Sequence, residues 1–445
     1  MDNKIDTCVP GQDAFFLSDD KKKKAMSTAI KSVSLYSIGD LLYKNSFMLM
    51  YLAALGISGD MILVYLAVPN LVYMLLTIPA AHFSVRMTYV HSGVIGLIVS
   101  AFGLVLLFTA PFLRPWGSEW ILLFAGMLAH GVGLAIYVAT WFPLSSIFVP
   151  EKIRGRFFGN MRFCFQFVSI LFGLIVIGAL KKDSGITVFQ FFLALAVLAK
   201  IPGILLYSKL PPNPVQSAPS ASLKETVWNA VSAPGYMPFC AYTFLLMLAT
   251  GSCSSIFCLL AKGPMGFSDG EVVLTGTLLM FGSVGGFYFG GKMVDRLGVK
   301  LVFMSCHFSF GIILLSFLAR GFIPASCSLL FVCALSMAFG AVQAASGIAL
   351  TSEMLSLVPH ENKPVATSLN QALMYMGVAL SGLFSSQAIK FHILNDDWSF
   401  AGCRMGQYDT LILFCGIMVI MLVVTLGLVP SVVNFVKVSM VSDRT

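Results

Sequence analysis

The chain has 445 residues, 58% of them hydrophobic and 11% charged, with a mean hydropathy of +0.88 and a formal net charge of +8. An average soluble protein carries roughly 45–50% apolar and about 25% charged residues, so this chain cannot cover itself with enough charge for water and its solvent is lipid. Soluble enzymes, nucleic-acid binders and disordered proteins are thereby excluded, and the positive charge becomes a marker of membrane orientation.

In chain order, segment 1–32 is polar, contains the run Lys21 to Lys24 and lacks the layout of a signal peptide. Twelve apolar stretches of spanning length follow, at about 33–57, 61–85, 90–113, 120–147, 157–180, 187–208, 237–261, 271–290, 299–319, 324–350, 365–389 and 409–432. Residues Pro211 to Pro234 are rich in Pro, Ser and Ala, the composition of a linker. The expected organisation is all-α: a mobile tail (1–32), a six-span half (33–210), a linker (211–236), a second six-span half (237–432) and a closing tail (433–445). Placing both termini in the cytoplasm puts most of the 28 Lys and Arg inside, among them Arg86, Lys152, Arg154, Arg156, Lys292, Arg296, Lys300 and Lys363. The other face receives only Arg114, Lys181, Lys182, Lys262, Arg320, Lys390 and Arg404. The ten cysteines are scattered with no CxxC or metal-ligand spacing, so they read as small core residues without a disulfide frame or a metal.

The chain also matches itself at one offset, to within a residue. Leu55-Gly-Ile-Ser58 corresponds to Met265-Gly-Phe-Ser268, Arg86 to Arg296, and Val149-Pro150 to Val358-Pro359. An even number of spans per half makes the repeats parallel, and such repeats place a solute site near the midplane between them. Gly291-Lys-Met-Val-Asp295-Arg296-Leu-Gly298-Val-Lys300 resembles the signature loop of the major facilitator superfamily, and Pro150-Glu-Lys-Ile-Arg154-Gly155-Arg156 resembles that family's basic turn after span four. The resemblance covers all twelve spans and the linker, and it implies alternating-access secondary transport. By the residues themselves, Gly291 is expected to let two helices approach closely, Asp295 and Arg296 to form a switchable charge contact, and Lys300 to hold the loop inside. The matching first-half loop keeps Arg86 but has Val85 where the acid belongs, and the family's span-four Arg motif and drug-exporter Gly-Pro motif are missing.

Ionisable side chains deep in the bilayer cost roughly 2.5–3.5 kcal/mol on insertion scales and so ask for a reason. Asp40 and Lys44 lie at i and i+4 in span one and are expected to pair, with Asp40 as a proton or cation carboxylate and Lys44 coupling it to the solute; a purely structural pair is the alternative. His130, Tyr137 and Trp141 share a helix face in span four and could line a solute cavity, or serve as a core histidine and an interfacial anchor. In span five, Arg162 and Gln166 are again i and i+4, with Arg162 read as snorkelling or gating ahead of binding an anion. Gln343 in span ten is a further solute contact, and Glu353 a gate partner for Lys363 or Arg156. Lys200 and His307 fall in spans that the resemblance places at the periphery, so snorkelling or packing is their expected role. The glycines of Gly282-Ser-Val-Gly285-Gly286 suggest close helix packing.

No GxxxxGK[ST] loop is present, nor a hydrolase triad, so direct ATP drive and enzymatic hydrolysis are not expected. The sequence therefore points to a monomeric, multi-pass plasma-membrane transporter for a small polar organic solute, with no cofactor but a coupling H+ or Na+. Lys44, Arg162 and His130 tilt the solute modestly toward an anion or zwitterion. The short run Tyr36-Ser-Ile-Gly39-Asp40-Leu resembles span one of sugar–cation symporters and tilts it toward sugars. Export of amphipathic compounds and a non-transporting sensor or scaffold are the remaining alternatives.

Overall fold

The structure is a computed structural model that describes residues 17–44, 46–84, 87–150, 153–180, 184–212, 227–229, 231–357, 363–394, 397–400 and 402–427. The first half contains α1 (Asp19–Lys44), α2 (Ser46–Ala54), α3 (Gly59–Ser84), α4 (Tyr89–Thr109), α5 (Glu119–Phe148), α6 (Arg154–Ala179) and α7 (Ile186–Tyr207). The second contains α8 (Tyr236–Thr250), α9 (Cys253–Lys262), α10 (Asp269–Leu297), α11 (Val299–Ser316), α12 (Ala325–Leu357), α13 (Lys363–Lys390) and α14 (Gln407–Leu422). Among the described residues, 11 helices are long and apolar enough to cross a membrane, and they coincide with the second to twelfth apolar stretches.

The first stretch departs from expectation. Its helix begins already at Asp19, with Asp19 and Asp20 in the first turn where carboxylates favour the helix dipole. Part of the supposed tail is therefore packed helix: Ala25, Ala29, Ser32 and Val33 are buried, and Ser32 Oγ donates to the Gly203 carbonyl of α7 at 2.7 Å. The stretch is also divided, α1 ending at Lys44 and α2 starting at Ser46. Its counterpart in the second half is divided between α8 and α9 in the same way. At that second break the Ser252 amide, freed from the helix ladder, donates to Ser381 Oγ of α13 at 3.0 Å. This satisfies a backbone group that lipid could not.

The halves meet along two symmetric seams, α3 against α13 and α6 against α10. Within each half, small residues set the spacing. A Cβ on Gly286 of α10 would collide with the Ala341 carbonyl of α12, and one on Gly290 would lie 2.7 Å from Ala345 Cα. The close packing expected of Gly282 and Gly286 is thus present, whereas Gly285 and Gly291 face open space. The reading of Gly291 as a close-approach residue is corrected: the contact with α12 falls one residue earlier, at Gly290.

The all-α expectation omits one feature. In the connection before α14, β1 (Trp398–Phe400) pairs antiparallel with β2 (Cys403–Met405). Arg320 anchors this hairpin, donating to the Arg404 carbonyl at 3.2 Å and, from Nε and Nη2, to both carboxylate oxygens of Asp409 at 2.9 and 2.8 Å.

Candidate functional site

A cavity of about 410 Å³ lies between the halves. The first half lines it with Tyr43, Ser46, Asn70, His130 and Gln166, the second with Ser252, Ser254, Ser255, Thr275, Ser336, Gln343 and Tyr375. The breaks in the two divided helices face it, which is where non-helical backbone at membrane depth is tolerated. Ser46 Oγ of α2 lies 3.0 Å from Cys258 Sγ of α9, joining the halves beside the breaks. Among the described residues, no lining side chain carries a formal charge.

The charges lie one layer behind this wall. Asp40 pairs with Lys200 of α7, a partner from outside α1: Lys200 Nζ donates to Asp40 Oδ1 at 2.7 Å. The side chain of Lys44 lies outside the described residues. Lys200 is 0% exposed, so of its two expected roles snorkelling is overturned and burial inside the half stands. Gly39 makes the pair possible, because a Cβ there would overlap Lys200 Cε. Lys200 Nζ also donates to Ser100 Oγ of α4 at 2.9 Å, and Ser100 Oγ lies 3.0 Å from His130 Nδ1. His130 stacks on Tyr43, the ring centroids 3.5 Å apart and the planes 3° from parallel. A buried chain of polar contacts thus runs from Asp40 through Lys200 and Ser100 to an imidazole on the cavity wall.

The other expected site residues separate into groups. Gln166 and Gln343 line the cavity. Tyr137 and Trp141 do not: they pack with Tyr36 and Tyr207 in an aromatic cluster inside the first half, where the Tyr36 hydroxyl donates to that of Tyr137. Tyr137 and Trp141, seven and eleven residues beyond His130, lie past the part of α5 that lines the cavity, and pack toward α1 and α7. Arg162 is exposed, with its guanidinium 5.3 Å from the ring centroid of Phe287 on α10, so it bridges the α6–α10 seam and does not line the cavity. His307, expected only to pack, is fully buried and joins three helices: Tyr242 Oη lies 2.8 Å from its Nδ1 and Ser346 Oγ 2.6 Å from its Nε2.

Of the gating candidates, Asp295 and Arg296 are exposed, and among the described residues no ion pair joins them. Gly298 caps α10 with a φ of +82°, a left-handed conformation that favours glycine. Lys300 is half-buried just inside α11, and Glu353 is buried near the end of α12. Arg86 lies outside the described residues, as do the side chains of Arg154, Arg156 and Lys363. Residues that sequence reasoning missed are Ser100, Tyr43, Asn70, Ser254, Ser255 and Tyr375. Only Lys200 announced itself, as a cation in the middle of an apolar stretch.

The family model described as Major Facilitator Superfamily matches residues 34–382. The chain belongs to the major facilitator superfamily. Among solved structures, it is similar to the nucleoside transporter NupG at a TM-score of 0.66 and 15% identity, covering 91% of this chain and 98% of that one. The E. coli fucose:proton symporter FucP aligns at 0.58 and 14% identity over 90% and 98% of the two chains. A POT family transporter in complex with a thioalcohol-conjugated peptide aligns at 0.68 and 10% identity over 92% and 96%. No protein of curated function matches the sequence. These likenesses show the fold, and with the family they make the chain a multi-pass membrane transporter and not an enzyme.

Proposed function

We propose that this superfamily member moves a small, neutral, polar organic solute by alternating access, with the Asp40–Lys200 pair as the ion-coupling site. The observation that carries this reading is a cavity between the halves whose polar lining is hydroxyls, amides and one imidazole set among apolar and aromatic side chains, with the described charges one layer behind. A charged solute entering it would be desolvated with no described counter-charge to meet, which is costly. The expected tilt toward anions rested on Lys44, Arg162 and His130; of the two whose side chains are described, Arg162 and His130, only His130 is among the lining residues. The names of two structural neighbours, a nucleoside transporter and a fucose:proton symporter, fit a neutral solute. In this reading α1 and α2 together form a twelfth span, the excess of Lys and Arg marks the cytoplasmic face with both termini on it, and a monomer in the plasma membrane suffices.

The test is a thermal-stabilisation screen of purified protein with sugars, polyols, nucleosides, carboxylates, amino acids and phosphorylated metabolites, followed by uptake into liposomes. Only neutral compounds are expected to stabilise and accumulate. Asp40→Asn should abolish gradient-driven uptake while sparing counterflow exchange. Accumulation of an anion, binding without transport, or undiminished uptake by Asp40→Asn would overturn the reading.

A further inference from the structure

Ser100 hydrogen-bonds both to the ion pair and to the cavity wall, and its neighbours constrain the directions of those bonds. The Lys200 ammonium has donors only, so Ser100 Oγ must accept from it. Among the described residues the hydroxyl hydrogen of this buried serine has no acceptor other than His130 Nδ1, so it is satisfied only when Nδ1 is unprotonated and accepts. A charged Lys200 therefore selects the neutral His130 tautomer that carries its proton on Nε2. We propose that Ser100 is a positioning residue that transmits the charge state of the Asp40–Lys200 pair to His130 at the solute cavity.

The proposal rests on Asp40 being the coupling carboxylate and adds how the solute site reads it. When Asp40 takes a proton from water, the carboxylate charge disappears and the Lys200 ammonium remains buried without its counter-charge, an unfavourable state. Lys200 then shifts, its bond to Ser100 is released, and the hydroxyl becomes free to rotate. His130 loses its fixed acceptor role and can present either ring nitrogen as a donor. The other described titratable side chains around the pair are phenols: Tyr36 and Tyr43 on α1, Tyr137 on α5 and Tyr207 on α7. Phenols are neutral through the pH range concerned, which leaves Asp40, Lys200 and His130 as the described groups that change charge; the side chain of Lys44, four residues on from Asp40, lies outside the described residues.

The experiment needs no solute. Full-length protein in lipid, labelled with 15N-histidine, contains six histidines, and a His130→Gln variant identifies the His130 signals. At pH 8 the wild type should show a single His130 tautomer protonated at Nε2, and lowering the pH should convert it to a mixed population. Ser100→Ala and Asp40→Asn should both show the mixed population already at pH 8. A wild-type tautomer shared by Ser100→Ala, or one that survives Asp40→Asn, would overturn the proposal. If either variant fails to fold, the wild-type titration alone still decides: Nδ1 protonation at pH 8 overturns it. The readout is separate from transport. Loss of driven uptake in Asp40→Asn with an unchanged His130 signal would sink the relay and leave the coupling role standing. A changed signal with undiminished uptake would do the reverse.

Discussion

Lys200 and Asp40 illustrate how a buried ion pair constrains its own substitution. Lys200 is fully buried and Asp40 nearly so, with side-chain exposures of 0% and 16%. Removing the carboxylate strands the fully buried ammonium, which typically costs about 3–5 kcal/mol, whereas removing both can be close to neutral. Asp40→Asn alone should therefore lower the melting temperature of the protein clearly, and adding Lys200→Met should recover most of the loss. Measured as a double-mutant cycle, the coupling should exceed about 2 kcal/mol; additive losses would show that the pair contributes little. The importance of Asp40 was legible in the sequence, because a carboxylate in an apolar stretch demands a reason. Its partner was not, because helical periodicity reports neighbours along one helix and Lys200 arrives from another. Tyr137 and Trp141 failed for a related reason: spacing shows that they share a face with His130, but not how far along α5 the cavity reaches.

At the scale of elements, lipid removes the hydrophobic drive between helices, so close packing has to come from small side chains. The seam between α10 and α12 makes this testable within one short segment. Gly286→Val places a branched side chain against the Ala341 carbonyl and should destabilise by about 1–3 kcal/mol, as overpacking does. Gly285→Val, one residue away and facing open space, should leave the melting temperature nearly unchanged. Equal effects would mean that valine's helix propensity, and not the seam, governs the site. Span positions from the second onward were readable because 20 apolar residues in a row have few other uses. The division of the first and seventh stretches was not, since both run through apolar residues whose hydropathy is indifferent to where the helix is interrupted. The β1–β2 hairpin was equally hidden, three residues per strand being too short for a periodic signal.

For the whole molecule, alternating access requires contacts that hold the halves together on one side and are released when that side opens. Asp269 is placed to provide one. It is buried at the start of α10, pairs with Lys262 of α9 at 2.7 Å and accepts the backbone N–H of Ser184, in the first half's turn before α7, at 3.0 Å. Beside it, a Cβ on Gly270 would lie 2.8 Å from the Leu180 carbonyl, so the halves touch here. Asp409 offers a control, because its bidentate pair with Arg320 is at least as buried but lies wholly within the second half. Cys258, on the cavity wall, supplies a native reporter. Asp269→Ala should speed alkylation of Cys258 by a reagent added on that face about five-fold or more, the effect of roughly 1 kcal/mol on the equilibrium between closed and open. Asp409→Asn should lower thermal stability without changing that rate, and a Cys258→Ser background should remove the signal in both. If Asp269→Ala alters melting temperature alone, the contact is part of the fold and the closing of that face is carried elsewhere along the α6–α10 seam.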